Sequence, residues 1–82
     1  MNMDYEVIDK LPAKKSVIGT REILKAIKAG RVKMVIVAKN CPEALTKKIP
    51  SEGIDVKMFN GDQANLGTRL GKPFPIAMAG FE

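Results

Sequence analysis

Three short stretches of this 82-residue chain carry side chains that can recognise an anion or a nucleobase. In Gly19-Thr20-Arg21, a guanidinium follows a glycine, and guanidinium groups fork onto phosphates or guanine edges. In Lys39-Asn40, a carboxamide can donate and accept hydrogen bonds at once. In the stretch from Lys72 to Phe74, an aromatic ring lies between two prolines and beside a lysine, which suits stacking on unpaired bases.

Each of these residues also has a purely structural interpretation. Arg21 can be a solvated helix residue, and Gly19 can be a turn that requires positive φ. Asn40 can cap the helix that follows it, and Phe74 can plug the core beneath its loop. The sequence alone leaves both interpretations open.

Cys41 could be a nucleophile, but the chain has no histidine and no second cysteine. A thiol nucleophile normally needs a base to activate it, and a metal site needs further ligands. We therefore interpret Cys41 as a packing residue and predict no catalysis, no metal and no cofactor. A lone cysteine also fits a reducing cytoplasm. A small nucleotide-binding or phosphate-binding enzyme that uses helix N-termini remains an alternative.

Positive charge is concentrated in one part of the chain. Residues 10–48 hold eleven Lys or Arg and two acids, a local charge of +9 within a total of +5. This distribution is typical of a polyanion binder, although scattered solvated lysines are the alternative. We expect Lys25, Lys47 and Lys48 to add phosphate attraction. No apolar run approaches the roughly 18 residues that span a bilayer, so we predict no membrane partner.

The elements that must position these stretches alternate between strand and helix. Apolar runs predict four strands, and a helical pattern follows each of the first three; the strand sequences are KKSVIG, VKMVIVA, IDVKMF and PIAMAGF. A short helical turn is expected within residues 1–10. The order predicts a single domain over residues 1–82, with a three-layer α/β/α sandwich and a central four-stranded mixed sheet.

Capping chemistry predicts where the helices begin and end. Thr20 is expected as the N-cap of the first helix, Pro42 at the first position of the second, and Asp62 as the N-cap of the third. Gly30 and Gly71 are expected just beyond helix ends. The stretches at residues 19–21 and 39–42 then follow strands and open helices, where ligands of α/β sheets usually bind.

Three motifs occur in order along the chain: G-x-[KR] opening the first helix, A-x-N-x-P after the central strand, and L-G-x-x-x-G-K before the last strand. Together they resemble the L-thirty-e ribosomal proteins over most of residues 16–79. Those proteins belong to the kink-turn RNA-binding superfamily, which also contains the L-seven-A-e proteins. The latter open the first helix with Asn-Glu, whereas this chain has Gly19-Thr20, which favours the L-thirty-e branch.

The resemblance implies a non-enzymatic protein of the large ribosomal subunit that binds a kink-turn or a purine-rich internal loop of RNA. It implies rRNA and other ribosomal proteins as partners, a monomer when free, and a cytoplasmic location on the ribosome. By motif, it places RNA contacts at Gly19, Arg21, Asn40 and Phe74. Residue chemistry and resemblance together predict the following RNA-binding residues: Gly19, Thr20, Arg21, Lys25, Lys39, Asn40, Lys72 and Phe74.

The chain also departs from the family pattern. Pro50 cuts the second helix short, and the sequence stops at Glu82, close after the last strand. These departures motivate a further alternative, a protein-interaction module of the same fold that has lost RNA binding.

Overall fold

The computed structural model describes residues 5–50 and 53–82, which form five strands and three helices. In chain order the elements are β1 Glu6–Ile8, β2 Ser16–Ile18, α1 Thr20–Lys28, β3 Met34–Val37, α2 Glu43–Thr46, β4 Asp55–Phe59, α3 Gln63–Arg69 and β5 Met78–Phe81. None of the helices in these ranges is long and apolar enough to cross a membrane.

The strands form one mixed sheet in the order β1-β4-β3-β5-β2. β1, β4 and β3 are parallel, and β5 is antiparallel both to β3 and to β2. The carboxyl ends of β1, β4, β3 and β2 therefore lie at one edge of the sheet, together with the amino end of β5. Val37 pairs with Met58 and Met78 near this edge, and Ile18 pairs with Ala79.

The central strand β3 is covered on both faces. Val35 and Val37 pack in one buried cluster with Ile23 of α1, whereas Ile36 packs in a second cluster with Leu66 of α3. Part of α2 also packs on the first cluster. Successive strand residues point to opposite faces, so the continuous apolar run of β3 serves both layers. The predicted three-layer α/β/α arrangement is thus confirmed.

The prediction of four strands and an N-terminal helical turn is wrong at β1, which adds a fifth strand. Glu6 pairs with Lys57 of β4, and Lys57 Nζ lies 3.1 Å from Glu6 Oε1. The strand is three residues long, and its Val7 side chain is 55% exposed. A solvent-exposed segment of three residues is too short to show strand periodicity in the sequence. It is a strand because it pairs with the otherwise free edge of β4. The part of that prediction within residues 1–4 lies outside the described residues.

Two helix starts lie one residue away from their predicted positions. Gly19, not Thr20, is the N-cap of α1, and Thr20 is the first helical residue. Pro42 is the N-cap of α2, which extends only from Glu43 to Thr46. Neither N-cap provides a side-chain hydrogen bond, so both helices begin without side-chain capping.

The start of α3 and the ends of α1 and α3 agree with the predictions, whereas α2 ends at Thr46, before the predicted stop at Pro50. Asp62 caps α3 through a capping box, in which Asn65 N donates to Asp62 Oδ1 at 2.9 Å and Asp62 N donates to Asn65 Oδ1 at 3.2 Å. Gly30 and Gly71 lie just beyond α1 and α3, both at φ 75°. This left-handed conformation ends a helix and favours glycine.

Candidate nucleic-acid interface

The three stretches selected from the sequence adjoin three neighbouring strands of the sheet. Lys39-Asn40 follows β3, the segment from Lys72 to Ala77 leads into β5, and Gly19-Thr20-Arg21 follows β2; in the sheet these strands are adjacent. Neighbouring strands are about 4.8 Å apart, so the bases of the outer two loops are separated by about 10 Å. We call this edge, formed by residues 19–21, 39–40 and 72–74, the rim.

Asn40 caps α3, although it lies in a different loop. Asn40 Oδ1 accepts from Gln63 N at 2.9 Å, and Gln63 Nε2 donates to Asn40 O at 3.2 Å. Gln63 is the first residue of α3, so Asn40 satisfies one of the free N–H groups of that helix, not of α2 as the structural alternative had it. Within the described part of the chain, no hydrogen bond engages Asn40 Nδ2. The side-chain oxygen of Asn40 is therefore bonded within the protein, and its amide hydrogens are available to donate to a ligand.

The loop that carries Phe74 is fastened to the same helix. Ile76 N donates to Gln63 O at 3.0 Å, and Lys72 N donates to Gly67 O at 2.9 Å. Between these bonds the helix and the loop approach so closely that a Cβ on Gly67 would lie 2.1 Å from Phe74 O. Only glycine permits this approach. Gln63 thus connects the Asn40 loop to the Phe74 loop, a role that its sequence position does not signal.

The Phe74 ring is not a core plug, because the residue is 50% exposed. It lies beside a shallow groove of about 250 Å³ whose walls include Thr68, Lys72 and the flanking prolines Pro73 and Pro75. The two prolines restrict the backbone around Phe74. The loop therefore loses less conformational freedom when a flat partner covers the exposed ring. This arrangement suits base stacking.

Gly19 has a backbone reason to be glycine. Its φ of 94° and ψ of 126° lie in a region that residues with a side chain rarely adopt. Space is not the constraint, because the nearest atom to a Cβ there would be Glu22 Cγ at 4.0 Å. Gly19 O accepts the first hydrogen bond of α1, from Ile23 N at 2.9 Å. The turn sends Arg21 to the exposed first turn of α1 at the rim.

The basic side chains of the rim are free of competing acids in the described structure. Arg21, Lys39 and Lys72 are exposed, and none forms an ion pair with another described residue. Lys25 lies further along α1, where it lines a hollow of about 380 Å³ together with Arg21. Its 4.0 Å contact with Glu22 is exposed and contributes little.

The opposite end of the same edge is acidic. Asp9 follows β1 and accepts from Asn60 Nδ2 at 2.9 Å, and Asp62 follows β4. The edge therefore changes sign across the sheet, from acidic at β1 and β4 to basic at β3, β5 and β2. An anion at this edge would favour the half that contains Phe74.

Cys41 has the predicted packing role. It is 8% exposed and belongs to the buried cluster on the α1 face, and its Sγ donates to Pro42 O at 3.7 Å. Burial raises the pKa of the thiol, so the protonated form is favoured. No cluster of three metal-ligating side chains occurs within residues 5–50 and 53–82.

Comparison with known proteins gives consistent matches along the chain. The model of the ribosomal protein L7Ae/L30e/S12e/Gadd45 family matches residues 2–81. Large ribosomal subunit protein eL30 of Archaeoglobus fulgidus is 42% identical over 60 residues, which cover 73% of this chain and 70% of the relative. Its namesake in Methanosarcina mazei is 35% identical and covers 94% of this chain and 75% of the relative.

A solved structure supports the fold independently. A protein of unknown function from Bacillus halodurans C superposes with a TM-score of 0.72 over 80% of this chain and 69% of its own length, at 27% identity. Its sheet and helices are therefore arranged much as they are here.

Proposed function

Because the chain belongs to the ribosomal protein L7Ae/L30e/S12e/Gadd45 family, we propose that it is a non-enzymatic RNA-binding protein of the large ribosomal subunit and that the rim is its RNA-binding surface. The observation that carries the second half of this proposal is the exposed Phe74 ring, whose loop is bonded to α3, the helix that Asn40 also bonds. Ribosome association would place the protein in the cytoplasm of its cell.

The rim suits recognition of RNA shape better than recognition of a regular helix. A flat ring stacks only on a base that has left the helical stack, and free carboxamide and guanidinium donors bond exposed base edges or phosphates. A-form duplexes keep their bases stacked and hide the major-groove base edges in a deep, narrow groove. The partner that fits is an internal loop with an extruded base, of the kink-turn or purine-rich type, and the protein would bind it as a monomer.

Each predicted contact has a distinct role in this proposal. Phe74 stacks on the extruded base, Asn40 Nδ2 donates to a base edge or to the backbone, and Arg21 forks onto a phosphate. The backbone N–H groups of Gly19 and Thr20 line the turn beside them. The salt-sensitive remainder of the affinity comes from lysines near the rim, namely Lys25, Lys39 and Lys72.

The test compares binding to a purine-rich internal-loop RNA and to a regular duplex of the same length by fluorescence anisotropy. We expect Phe74→Ala to weaken the loop complex by about 5- to 150-fold, the equivalent of one lost stack of about 1–3 kcal/mol. Val7→Ala is the matched control, because among the described residues Val7 is the other large exposed hydrophobic residue, and it lies on the far strand β1. It should leave both affinities unchanged.

Two results would count against the proposal. Equal affinity for loop and duplex would remove the claim of loop recognition. An unchanged loop affinity in the Phe74→Ala variant would favour the alternative of a protein-interaction module that has lost this RNA contact.

A further inference from the structure

A second basic surface lies at the edge of the sheet opposite the rim. Two adjoining hollows, of about 610 and 530 Å³, share Pro12, Lys14 and Phe81 in their walls. They lie where β2 and β3 begin and β5 ends. We call the two together the distal groove; the cations that line it are Lys10, Lys14, Arg31, Lys33 and Arg69.

Most of this charge has no intramolecular partner. Arg31 pairs with Glu82 at 2.7 Å, and Asp55, which also lines the groove, pairs with Lys57 at 3.6 Å. In the described structure the other four cations form no ion pair. Among the described residues, none that lines the larger hollow is acidic. Like charges gathered in this way repel each other, and a bound anion would relieve that repulsion.

The lining of the larger hollow also includes apolar residues and an arginine that contacts an aromatic ring. The apolar residues of its lining are Leu11, Pro12, Leu70 and Phe81. The Arg69 guanidinium lies 5.6 Å from the centre of the Phe59 ring. Stacking on a ring orients a guanidinium but leaves its N–H edge free to bond an oxyanion. A nucleotide strand matches this arrangement when a base lies against these apolar residues and its phosphates lie near Lys10, Lys14 and Arg69.

We propose that the distal groove is a second RNA-binding site that takes the backbone of a single strand, so that one protein molecule bridges two RNA segments. Where they follow the sheet, the two sites lie at opposite ends of the strands, about 13 Å apart. They come closest at the end of α3, where Arg69 lines the distal groove and Lys72 begins the Phe74 loop. The choice of RNA as the polyanion rests on the proposed function; the existence of an anion site rests on the groove alone.

The experiment uses the full chain and two RNAs. A short labelled oligouridine, which offers a backbone with little base stacking, is titrated into protein alone and into protein saturated with unlabelled internal-loop RNA. We expect oligouridine to bind in both cases and to form a ternary complex in the second, with the expected added mass in native mass spectrometry.

Charge removal at the groove should weaken this binding selectively. For the triple variant Lys10→Gln, Lys14→Gln, Arg69→Gln, the plot of log affinity against log salt should become less steep by about 2, a loss of about 100-fold at 0.1 M salt. The double variant Lys10→Gln, Lys14→Gln keeps Arg69 and its contact with Phe59. It should bind oligouridine about 25-fold more weakly than wild type. Internal-loop binding should change far less in either variant.

The control removes three charges elsewhere, with Lys28→Gln, Lys47→Gln and Lys48→Gln on the α1–α2 face. Equal weakening of oligouridine by both triple variants would overturn the proposal, because binding would then follow net charge only. Absence of the ternary complex, or polyglutamate binding as tight as oligouridine binding, would also overturn it. Failure of the internal-loop RNA to bind would instead count against the proposed function, since oligouridine binding is measured on free protein as well.

Discussion

Asn40 has two tasks in this structure, and two substitutions can separate them. Its Oδ1 accepts from Gln63 N at the start of α3, whereas its Nδ2 is the group that we propose donates to RNA. Asn40→Ala removes both the acceptor and the donor. Asn40→Asp keeps an acceptor of the same shape but removes the donor. The two variants should therefore rank differently in stability and in RNA affinity.

The magnitudes follow from capping energetics. Loss of a capping acceptor costs about 1 kcal/mol, so Asn40→Ala should lower the Tm by about 4–8 °C in a domain of this size. For Asn40→Asp, a charge near the helix N-terminus would add about 0.3–1 kcal/mol. However, the carboxylate of Asp62 already occupies that terminus, and repulsion between the two acids offsets the gain. We therefore expect the stability of this variant to lie within about 0.5 kcal/mol of wild type.

RNA affinity should show the reverse preference. Asn40→Ala should weaken internal-loop binding by about 5- to 150-fold, the value of one base-edge contact of about 1–3 kcal/mol. Asn40→Asp should weaken it at least as much, because a carboxylate replaces a donor beside phosphates.

Thermal unfolding by circular dichroism and RNA titration by fluorescence anisotropy measure the two properties on the same samples. Asn60→Ala is the control, because Asn60 is another exposed asparagine at a strand end and bonds Asp9 at the acidic half of the edge. It should leave RNA affinity unchanged. If Asn40→Asp lowers the Tm as much as Asn40→Ala does, the assignment of Oδ1 to the helix cap is wrong. If either variant binds the loop like wild type, Nδ2 is not an RNA contact.

Two further predictions test the supports of the fold. Gly67→Ala places a Cβ against Phe74 O, and an overpacking cost of about 1–3 kcal/mol should exceed the roughly 1 kcal/mol gained in helix propensity. Both the stability in urea and the affinity for the loop RNA should therefore fall, and an unchanged stability would contradict the close approach. The Arg31 guanidinium lowers the pKa of Glu82, so the pair stabilises the fold above the pKa of the unfolded carboxyl, and this contribution is lost as pH falls through the lowered pKa. The Tm difference between wild type and Arg31→Gln should accordingly be present at neutral pH and disappear in acid; a difference that does not change with pH would contradict this account.

Local patterns in the sequence were enough to predict much of this fold. The apolar run of β3, the N-cap Asp62, and the terminal glycines Gly30 and Gly71 all depend on residues a few positions apart. Strand periodicity, helix capping and positive φ are properties of short segments, so a single sequence records them directly. The residue types of the rim were recognisable for the same reason, because their chemistry is intrinsic to the side chains.

What the tertiary structure alone decided is which distant segments meet. β5 lies between β3 and β2, so the segment that carries Phe74 enters the sheet between the strands that lead to Asn40 and Gly19. Asn40 bonds Gln63, 23 residues away, and Gly67 admits the Phe74 loop. β1 is a strand only because β4 offers a free edge. These relations depend on which apolar faces the whole chain buries together, and no short window of sequence contains that information.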